Sequence, residues 1–217
     1  MTLAARLGIE RLSKTQVREE ARSFRERNGV LDQVPVDIEH IIDVRLCLDI
    51  SPVKGLQQIL DVVAFISSDL CQITVDENAY YNIPDRYRFS LAHEIAHLVL
   101  HPQVFEQFSF GNIEGYQQFL REIGQDPDYL WMERQANWFA AYVLVPPEHL
   151  EPVFCEALAL ARSNGMDLRM FWADGQEAVC GNLGRRFEVS KSALRRRLVE
   201  DKLDTRYLGF QIGTDSR

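Results

Sequence analysis

The chain has 217 residues, of which 46% are hydrophobic and 26% charged, and its formal net charge is −8. This composition is typical of a soluble globular protein with one large domain, or one domain and a small appendage. No apolar run approaches the roughly 20 residues that span a bilayer, which excludes a membrane-spanning protein. Because residues 1–20 also lack the apolar centre of a signal peptide, we expect a cytoplasmic protein with reduced cysteines.

The first third of the sequence predicts two helices followed by strands. Ser13 is a favourable N-cap for a helix that runs to about Asn28, and Asp37 predicts a short helix over residues 38–43. The spacing of apolar residues and turn residues predicts strands at three places, which are residues 44–50, 62–67 and 71–75. Residues 80–83 are predicted to form a short extended piece.

The next predicted helix runs from Arg86 to about His101 and contains the motif H-E-x-x-H as His93, Glu94 and His97. Four residues turn an α-helix by about 400°, so the two motif histidines project from nearly the same side, one turn apart. Two imidazoles placed in this way can bind one metal ion, and Glu94 can reach a water molecule on that ion. The motif therefore predicts a zinc-dependent peptidase.

The alternative is that the two motif histidines are core residues hydrogen-bonded to the backbone. The motif helix is apolar on almost every side, so it is predicted to be buried. Buried ionisable groups are costly unless they are paired or bound to metal, which favours the metal site.

Downstream of the motif helix the sequence predicts five more helices, over residues 114–123, 126–144, 147–162, 177–187 and 190–201. The Phe-rich segment 103–126 is interpreted either as a mobile cover over the active site or as a surface excursion with an aromatic anchor. We divide the chain into a metallopeptidase domain, residues 1–165, and a helical C-terminal extension, residues 166–217.

A catalytic zinc site needs three protein ligands, and the motif supplies two of them. The candidate for the third is Glu133, which lies in an apolar, alanine-containing helix that can pack closely against the motif helix. From the residues alone, the alternative is a solvated surface glutamate. Asn137, one turn later, can orient His93 or His97 by accepting the free ring N–H.

Two further roles near the motif are open. His101 lies about 80° round the helix from His93, so it is predicted to cap the helix or to support a ligand rather than bind the metal. A second donor to the oxyanion of the reaction is expected, and the candidates by residue type are Tyr80, Tyr81, Arg88, His101 and Tyr142.

The C-terminal region differs from the rest of the chain in charge. Residues 181–206 carry a net charge of +4, against −12 for the remainder. Residues 182–198 predict a helix, a tight turn and a second helix capped by Ser190, the pattern of a helix-turn-helix. Three interpretations stay open for residues 195–197: they bind DNA, they dock on an acidic or DNA-bound protein, or they are solvated arginines on a pair that completes the fold.

Two segments together resemble one known family. The motif segment from Phe89 to His101 and the later segment E-x-x-A-N-x-F-A-A, which begins at Glu133, are similar to the ImmA/IrrE family of metallopeptidases. The resemblance covers roughly residues 14–150. It implies a Zn²⁺ ion held by two histidines and one glutamate, with a second glutamate as the catalytic base. Carried over to this chain, these residues are His93, His97, Glu133 and Glu94.

The resemblance also implies a fold and a kind of substrate. The expected class is α+β, a mainly helical minimal zincin of the gluzincin type with a small twisted three-stranded sheet, extended here by the C-terminal helix-turn-helix-like pair. The family is associated with cleavage of transcriptional repressors, so the implied substrate is a protein, such as a helix-turn-helix repressor. The competing hypothesis is a non-proteolytic metal-binding regulatory module that acts through its C-terminal helices.

Overall fold

The computed structural model describes residues 8–213, which fall into two compact units. The first unit contains the chain up to Leu31 and from Asp37 to Val143, and the second contains Asp32–Val36 and the chain from Leu144 onward. The predicted α+β class is confirmed, because the fold is mainly helical with one small mixed sheet. The predicted domain boundary after residue 165 stays a prediction. Among residues 8–213, no helix is long and apolar enough to cross a membrane.

The first unit holds three strands and most of the helices. They follow one another as α1 (Lys14–Arg27), α2 (Ile38–His40) with a π-helical turn (Ile41–Arg45), β1 (Asp49–Val53), α3 (Leu56–Leu60), β2 (Ala64–Ile66), β3 (Gln72–Asp76), α4 (Glu77–Asn82), α5 (Pro84–Leu100), α6 (Pro102–Phe105), α7 (Ile113–Ile123) and α8 (Pro127–Leu144), whose last residue belongs to the second unit.

The sheet has the strand order β1-β3-β2. β1 runs parallel to β3, with Ile50 opposite Ile73, and β2 runs antiparallel to β3, with Phe65 opposite Thr74. All three residues of β2 are buried, and α5 packs against both β2 and β3. The predicted hairpin is therefore present, and it places the motif helix directly against the sheet.

Two helix starts follow the expected capping chemistry. The Ser13 hydroxyl accepts from the Gln16 backbone N–H while the Gln16 side chain accepts from the Ser13 backbone, which is a capping box. α5 begins at Pro84, and proline fits the first helical turn because its missing N–H would have no partner there. α5 ends immediately before His101, which is followed by Pro102. The predicted bounds of α1 and α5 are thus close to the observed ones.

The strand predicted over residues 44–50 is wrong in position, because the observed strand begins later in the sequence. The helix capped by Asp37 continues through the π-helical turn as far as Arg45, so that Ile41 and Ile42 are completely buried. Cys47 then takes a positive φ of 53°, and the strand begins only at Asp49, where it can pair with β3. Burial of two isoleucines in the helix outweighs the local alternation that predicted a strand.

The extended piece predicted over residues 80–83 is also wrong, since these residues belong to or directly follow α4. The Asp76 carboxylate accepts from the backbone N–H groups of Asn78 and Ala79, which starts this helix. Tyr80 packs edge-on against Tyr87 of α5, with ring centroids 5.1 Å apart. An N-cap and an aromatic contact therefore override the strand preference of the two neighbouring tyrosines.

The Phe-rich segment is built around a buried aromatic cluster, which we define as Phe65, Phe105, Phe110, Tyr116 and Phe119. The rings of Phe65 in β2 and Tyr116 in α7 stack with centroids 4.3 Å apart, and those of Phe110 and Phe119 lie 4.8 Å apart. These contacts favour the interpretation of residues 103–126 as an excursion held by an aromatic anchor.

The second unit is helical. Its elements are α9 (Pro147–Ser163), α10 (Trp172–Phe187), α11 (Lys191–Glu200) and α12 (Leu203–Tyr207). The predicted C-terminal pair corresponds to α10 and α11, and the Ser190 hydroxyl caps α11 by accepting from the Ala193 backbone N–H. Glu188 makes the turn between them with a positive φ of 52°.

Several basic residues of the C-terminal region are paired with acidic residues of the second unit. Arg197 is buried and forms ion pairs with Asp201 at 2.6 Å and with Glu200 at 3.3 Å. Lys191 contacts Glu177 at 2.7 Å. Arg197 is therefore a core residue of this unit rather than part of a DNA-binding surface, and the excess positive charge of residues 181–206 is partly neutralised by neighbouring carboxylates.

The tight turn between α10 and α11 gives a stability prediction. We expect Gly184→Ala to lower the free energy of unfolding by about 1–3 kcal/mol relative to Gly181→Ala, as measured by chemical denaturation. A Cβ at position 184 would lie 2.8 Å from the Val189 carbonyl oxygen, which is closer than van der Waals contact allows. At position 181, in the same helix, a Cβ would meet only the flexible ends of two side chains, Lys191 at 3.3 Å and Arg185 at 3.8 Å. Equal stability of the two variants would contradict this reading of the turn.

Candidate metal centre

Two helices of the first unit bring the predicted ligands together. α5 carries His93 and His97 one turn apart on the side that faces α8, and α8 carries Glu133. The three side chains form a group whose possible ligand atoms all lie within 4.8 Å of one another. Folding therefore joins the histidine pair to the glutamate that the sequence indicated as the third ligand.

The two histidine nitrogens of this group each face one oxygen of the Glu133 carboxylate. The Nε2 atom of His93 lies 3.1 Å from Oε2 of Glu133 and 3.2 Å from Nε2 of His97. The Nε2 atom of His97 lies 3.4 Å from Oε1 of Glu133. Both imidazoles thus point the same ring nitrogen toward one carboxylate.

The distances between these possible ligand atoms fit zinc. Nitrogen and oxygen ligands bind zinc at about 2.0–2.1 Å in a tetrahedral arrangement, which places neighbouring ligand atoms roughly 3.3 Å apart. The observed separations of 3.1, 3.2 and 3.4 Å lie around this value. Three protein ligands leave the fourth tetrahedral position for water or substrate, as a catalytic site requires.

The group is open on one side. The side chain of His97 is only 4% exposed, whereas those of His93 and Glu133 are 15% and 29% exposed. An arrangement buried at one ligand and accessible at the other two can admit a substrate from the Glu133 side.

Electrostatic coupling within the group keeps its carboxylate ionised. Burial favours the neutral form of Glu133, but the two histidines outweigh burial and hold the pKa of Glu133 well below its usual value. Burial likewise disfavours a charged His93, but the Glu133 carboxylate raises the pKa of His93 to about 9. Glu133 is therefore in the anionic form that binds metals.

Glu94 is buried beside the two histidines, and only 6% of its surface is exposed. Its Oε2 atom accepts a hydrogen bond of 2.9 Å from the backbone N–H of Ile66 in β2. Burial raises the pKa of Glu94, although the neighbouring histidines partly offset this effect. A carboxylate with a raised pKa takes up a proton more readily than an ordinary carboxylate, which suits a general base.

Asn137 supports the centre from the turn after Glu133. Its Nδ2 atom donates to the Glu133 backbone carbonyl at 2.9 Å, and its side chain lies near enough to His93 to contribute to the raised pKa of that ring. Of the two histidines that the sequence left open as partners of Asn137, His93 is the one whose pKa it affects.

Two tyrosines near Glu133 were missed by the sequence reasoning. The phenols of Tyr129 and Tyr116 both lie within reach of the Glu133 charge. Burial, together with this charge, raises the pKa of both phenols, so they remain neutral. Tyr129 lies one helical turn before Glu133, and this spacing is a signal that the sequence did contain. Tyr116 comes from α7 and had no local signal.

The other candidates occupy different places. Tyr80 packs edge-on against Tyr81 and Tyr87 in a separate aromatic group. His101 is not a member of the ligand group; it is buried and lies between His97 and Gln135. Burial lowers the pKa of His101 to about 3, so its ring is neutral.

The site has the arrangement of a metallopeptidase. It combines two histidines one turn apart on a helix, a glutamate from a second helix and a buried glutamate beside them, and a small mixed sheet lies behind the first helix. The model of the Peptidase_M78 family, described as the IrrE N-terminal-like domain, matches residues 78–199, more than half of the chain. The chain therefore belongs to this family of metallopeptidases, and the predicted ImmA/IrrE relationship is confirmed.

Solved structures include chains with a similar fold. One is described as a Mycobacterium tuberculosis transcriptional regulator, with a TM-score of 0.50 and 14% sequence identity over 90% of this chain. The match covers 48% of that regulator, so this chain spans about half of its length. At this identity the likeness concerns the fold alone. No curated protein sequence matches the chain.

Proposed function

We propose that the protein is a zinc-dependent endopeptidase in which His93, His97 and Glu133 hold the ion and Glu94 is the catalytic base. The observation that carries the proposal is the close approach of the two histidine nitrogens to each other and to the Glu133 carboxylate oxygens, at 3.1–3.4 Å, next to a buried glutamate. A zinc ion held there would polarise a peptide carbonyl and acidify a water molecule.

The protein's own groups account for the proton transfers. One carboxylate oxygen of Glu94 is fixed by the Ile66 N–H, which leaves the other oxygen to take a proton from the attacking water. The raised pKa of Glu94 allows it to hold this proton and then to deliver it to the leaving amine. Asn137 supports the helical turn that carries Glu133 through its hydrogen bond to the Glu133 backbone carbonyl.

The proposed substrate is a regulatory protein, such as a helix-turn-helix repressor, and the proposed site of action is the cytoplasm. Membership of a peptidase family supports a protein substrate. The name of the structural neighbour, a transcriptional regulator, supports a connection with gene control. Arg197 and Lys191 do not favour DNA as a partner, since both are already paired with carboxylates.

Zinc binding and peptide cleavage together test this function. We expect the protein, loaded with one zinc ion per chain, to cut a mixed peptide library at internal bonds, with the new termini identified by mass spectrometry. Removal of zinc with 1,10-phenanthroline should stop cleavage, and added Zn²⁺ should restore it. Zinc binding without any cleavage would instead support the non-proteolytic metal-binding module. Failure to bind zinc would overturn both hypotheses.

A further inference from the structure

A series of hydrogen bonds leads from the metal centre to the N-terminal segment, by which we mean residues 10–12. The Nδ1 atom of His97 lies 3.2 Å from Nδ1 of His101. The Nε2 atom of His101 lies 3.0 Å from Oε1 of Gln135, whose Nε2 donates to the Glu10 carbonyl oxygen at 2.9 Å. The function described so far does not use His101 or Gln135.

The middle of this series is fully enclosed. Gln135 has no exposed surface, and His101 is 1% exposed. A buried polar group without a hydrogen-bond partner is costly, so each donor in the series must meet an acceptor. The protein therefore restricts which ring nitrogens carry hydrogen.

The direction of each hydrogen bond follows from the Glu10 end. A backbone carbonyl can only accept, so the Gln135 amide nitrogen must face Glu10 and its oxygen must face His101. The oxygen can only accept, so Nε2 of His101 donates. In a neutral imidazole the other nitrogen is then an acceptor, and Nδ1 of His101 accepts from Nδ1–H of His97.

This direction prepares His97 for a metal. With the hydrogen on Nδ1, the Nε2 atom of His97 carries a lone pair, and Nε2 is the atom that faces His93 and Glu133. The opposite tautomer would place a hydrogen where the metal must bind. In the metal-free protein the Glu133 carboxylate, 3.4 Å from this nitrogen, attracts such a hydrogen, so the hydrogen bonds from Gln135 through His101 must outweigh that attraction.

We propose that Gln135 is a positioning residue that acts through His101 to hold His97 in its metal-binding tautomer. This inference rests on the proposed metal site but concerns residues outside it. Because a glutamine amide can rotate by 180°, its orientation must also be fixed by its partner, and this partner is the Glu10 carbonyl.

The segment that supplies this carbonyl is attached to α8 beside Gln135. Arg11 pairs with Asp128 at 2.6 Å, and its guanidinium lies 5.9 Å from the centre of the Trp131 ring. These contacts hold the backbone of residues 10–12 against the helix that carries both Gln135 and Glu133. The N-terminal segment thus contributes to the orientation of His97, which it does not contact.

The tautomer of His97 can be measured directly. In metal-free full-length protein labelled with ¹⁵N-histidine, at mildly alkaline pH, long-range ¹H–¹⁵N spectra distinguish Nδ1–H from Nε2–H rings. We expect wild-type His97 to be a single Nδ1–H tautomer. In Gln135→Met, which keeps the length of the side chain but has no amide, we expect both tautomers. The exposed substitution Gln118→Met serves as a control and should behave as wild type.

Zinc affinity, measured by competition with a chelator, supplies the second readout. We expect Gln135→Met to bind zinc about 10–100-fold more weakly than wild type, and Gln118→Met to bind it with unchanged affinity. A single Nδ1–H tautomer and wild-type affinity in Gln135→Met would overturn the proposal. An Nε2–H tautomer in wild-type His97 would overturn it even if the variant does not fold. Absence of zinc binding by wild type would refute the proposed function instead, and the tautomer spectra would still be interpretable.

Discussion

Replacing Glu94 by glutamine is expected to lower the rate of peptide cleavage by about 10²–10⁴-fold, the usual contribution of a general base. Glutamine cannot take a proton from water at neutral pH. Its side-chain oxygen can still accept from the Ile66 N–H, so the contact between α5 and β2 should persist. Cleavage of a peptide identified from the library, measured at saturating substrate and zinc, gives the rate.

The control for this substitution is Glu106→Gln, the same change at an exposed position after α6. It should leave the rate unchanged. Zinc content, determined by mass spectrometry of the metal, should be equal in the wild type and both variants. Wild-type activity of Glu94→Gln would refute the role of Glu94 as base. Loss of zinc from that variant would mean that Glu94 acts by supporting the ligands.

The second large effect is expected for Glu133→Ala, which should weaken zinc binding by roughly 10²–10³-fold. This factor follows when the binding free energy of a structural zinc site is divided evenly among its ligands. The variant retains His93 and His97 but loses the only carboxylate of the group. Zinc affinity measured with a chromophoric chelator gives the change directly. Peptide cleavage should disappear at zinc concentrations that saturate the wild type.

An exposed glutamate in α7 provides the matched control, because Glu114→Ala removes a carboxylate without touching the centre. Its zinc affinity should equal that of the wild type. If Glu133→Ala bound zinc as tightly as the wild type, the third ligand would have to be a different residue. Circular dichroism of both variants would confirm that the helices are intact.

Local sequence signals were sufficient for much of the fold and for the composition of the proposed centre. These signals involve residues within one or two helical turns of each other. They are a proline at the start of α5, a capping box at α1 and the four-residue spacing of His93 and His97. Such signals do not depend on the rest of the fold. Glu133 was the exception, since its assignment needed the resemblance to a family in addition to its position in an apolar helix.

The contacts that local signals could not predict join distant parts of the chain. The hydrogen bond from Gln135 to the Glu10 carbonyl spans 125 positions. The stacking of Phe65 on Tyr116 depends on β2 and α7 meeting in space. The error in the first strand has a similar cause, because the π-helical turn before β1 is fixed by burial of Ile41 and Ile42 and not by local alternation.

The aromatic cluster has a consequence for how the two ligand helices are connected. Tyr116, which stacks on Phe65, also packs against Phe119, whose ring centroid lies 6.2 Å from that of Tyr129 in α8. The Phe110 backbone N–H donates to the Ser68 hydroxyl in the turn between β2 and β3 at 2.9 Å. The connection between α5 and α8 is therefore not a spacer of arbitrary length. Shortening it would remove aromatic side chains that pack against α8, the helix that carries Glu133, such as Phe119 against Tyr129.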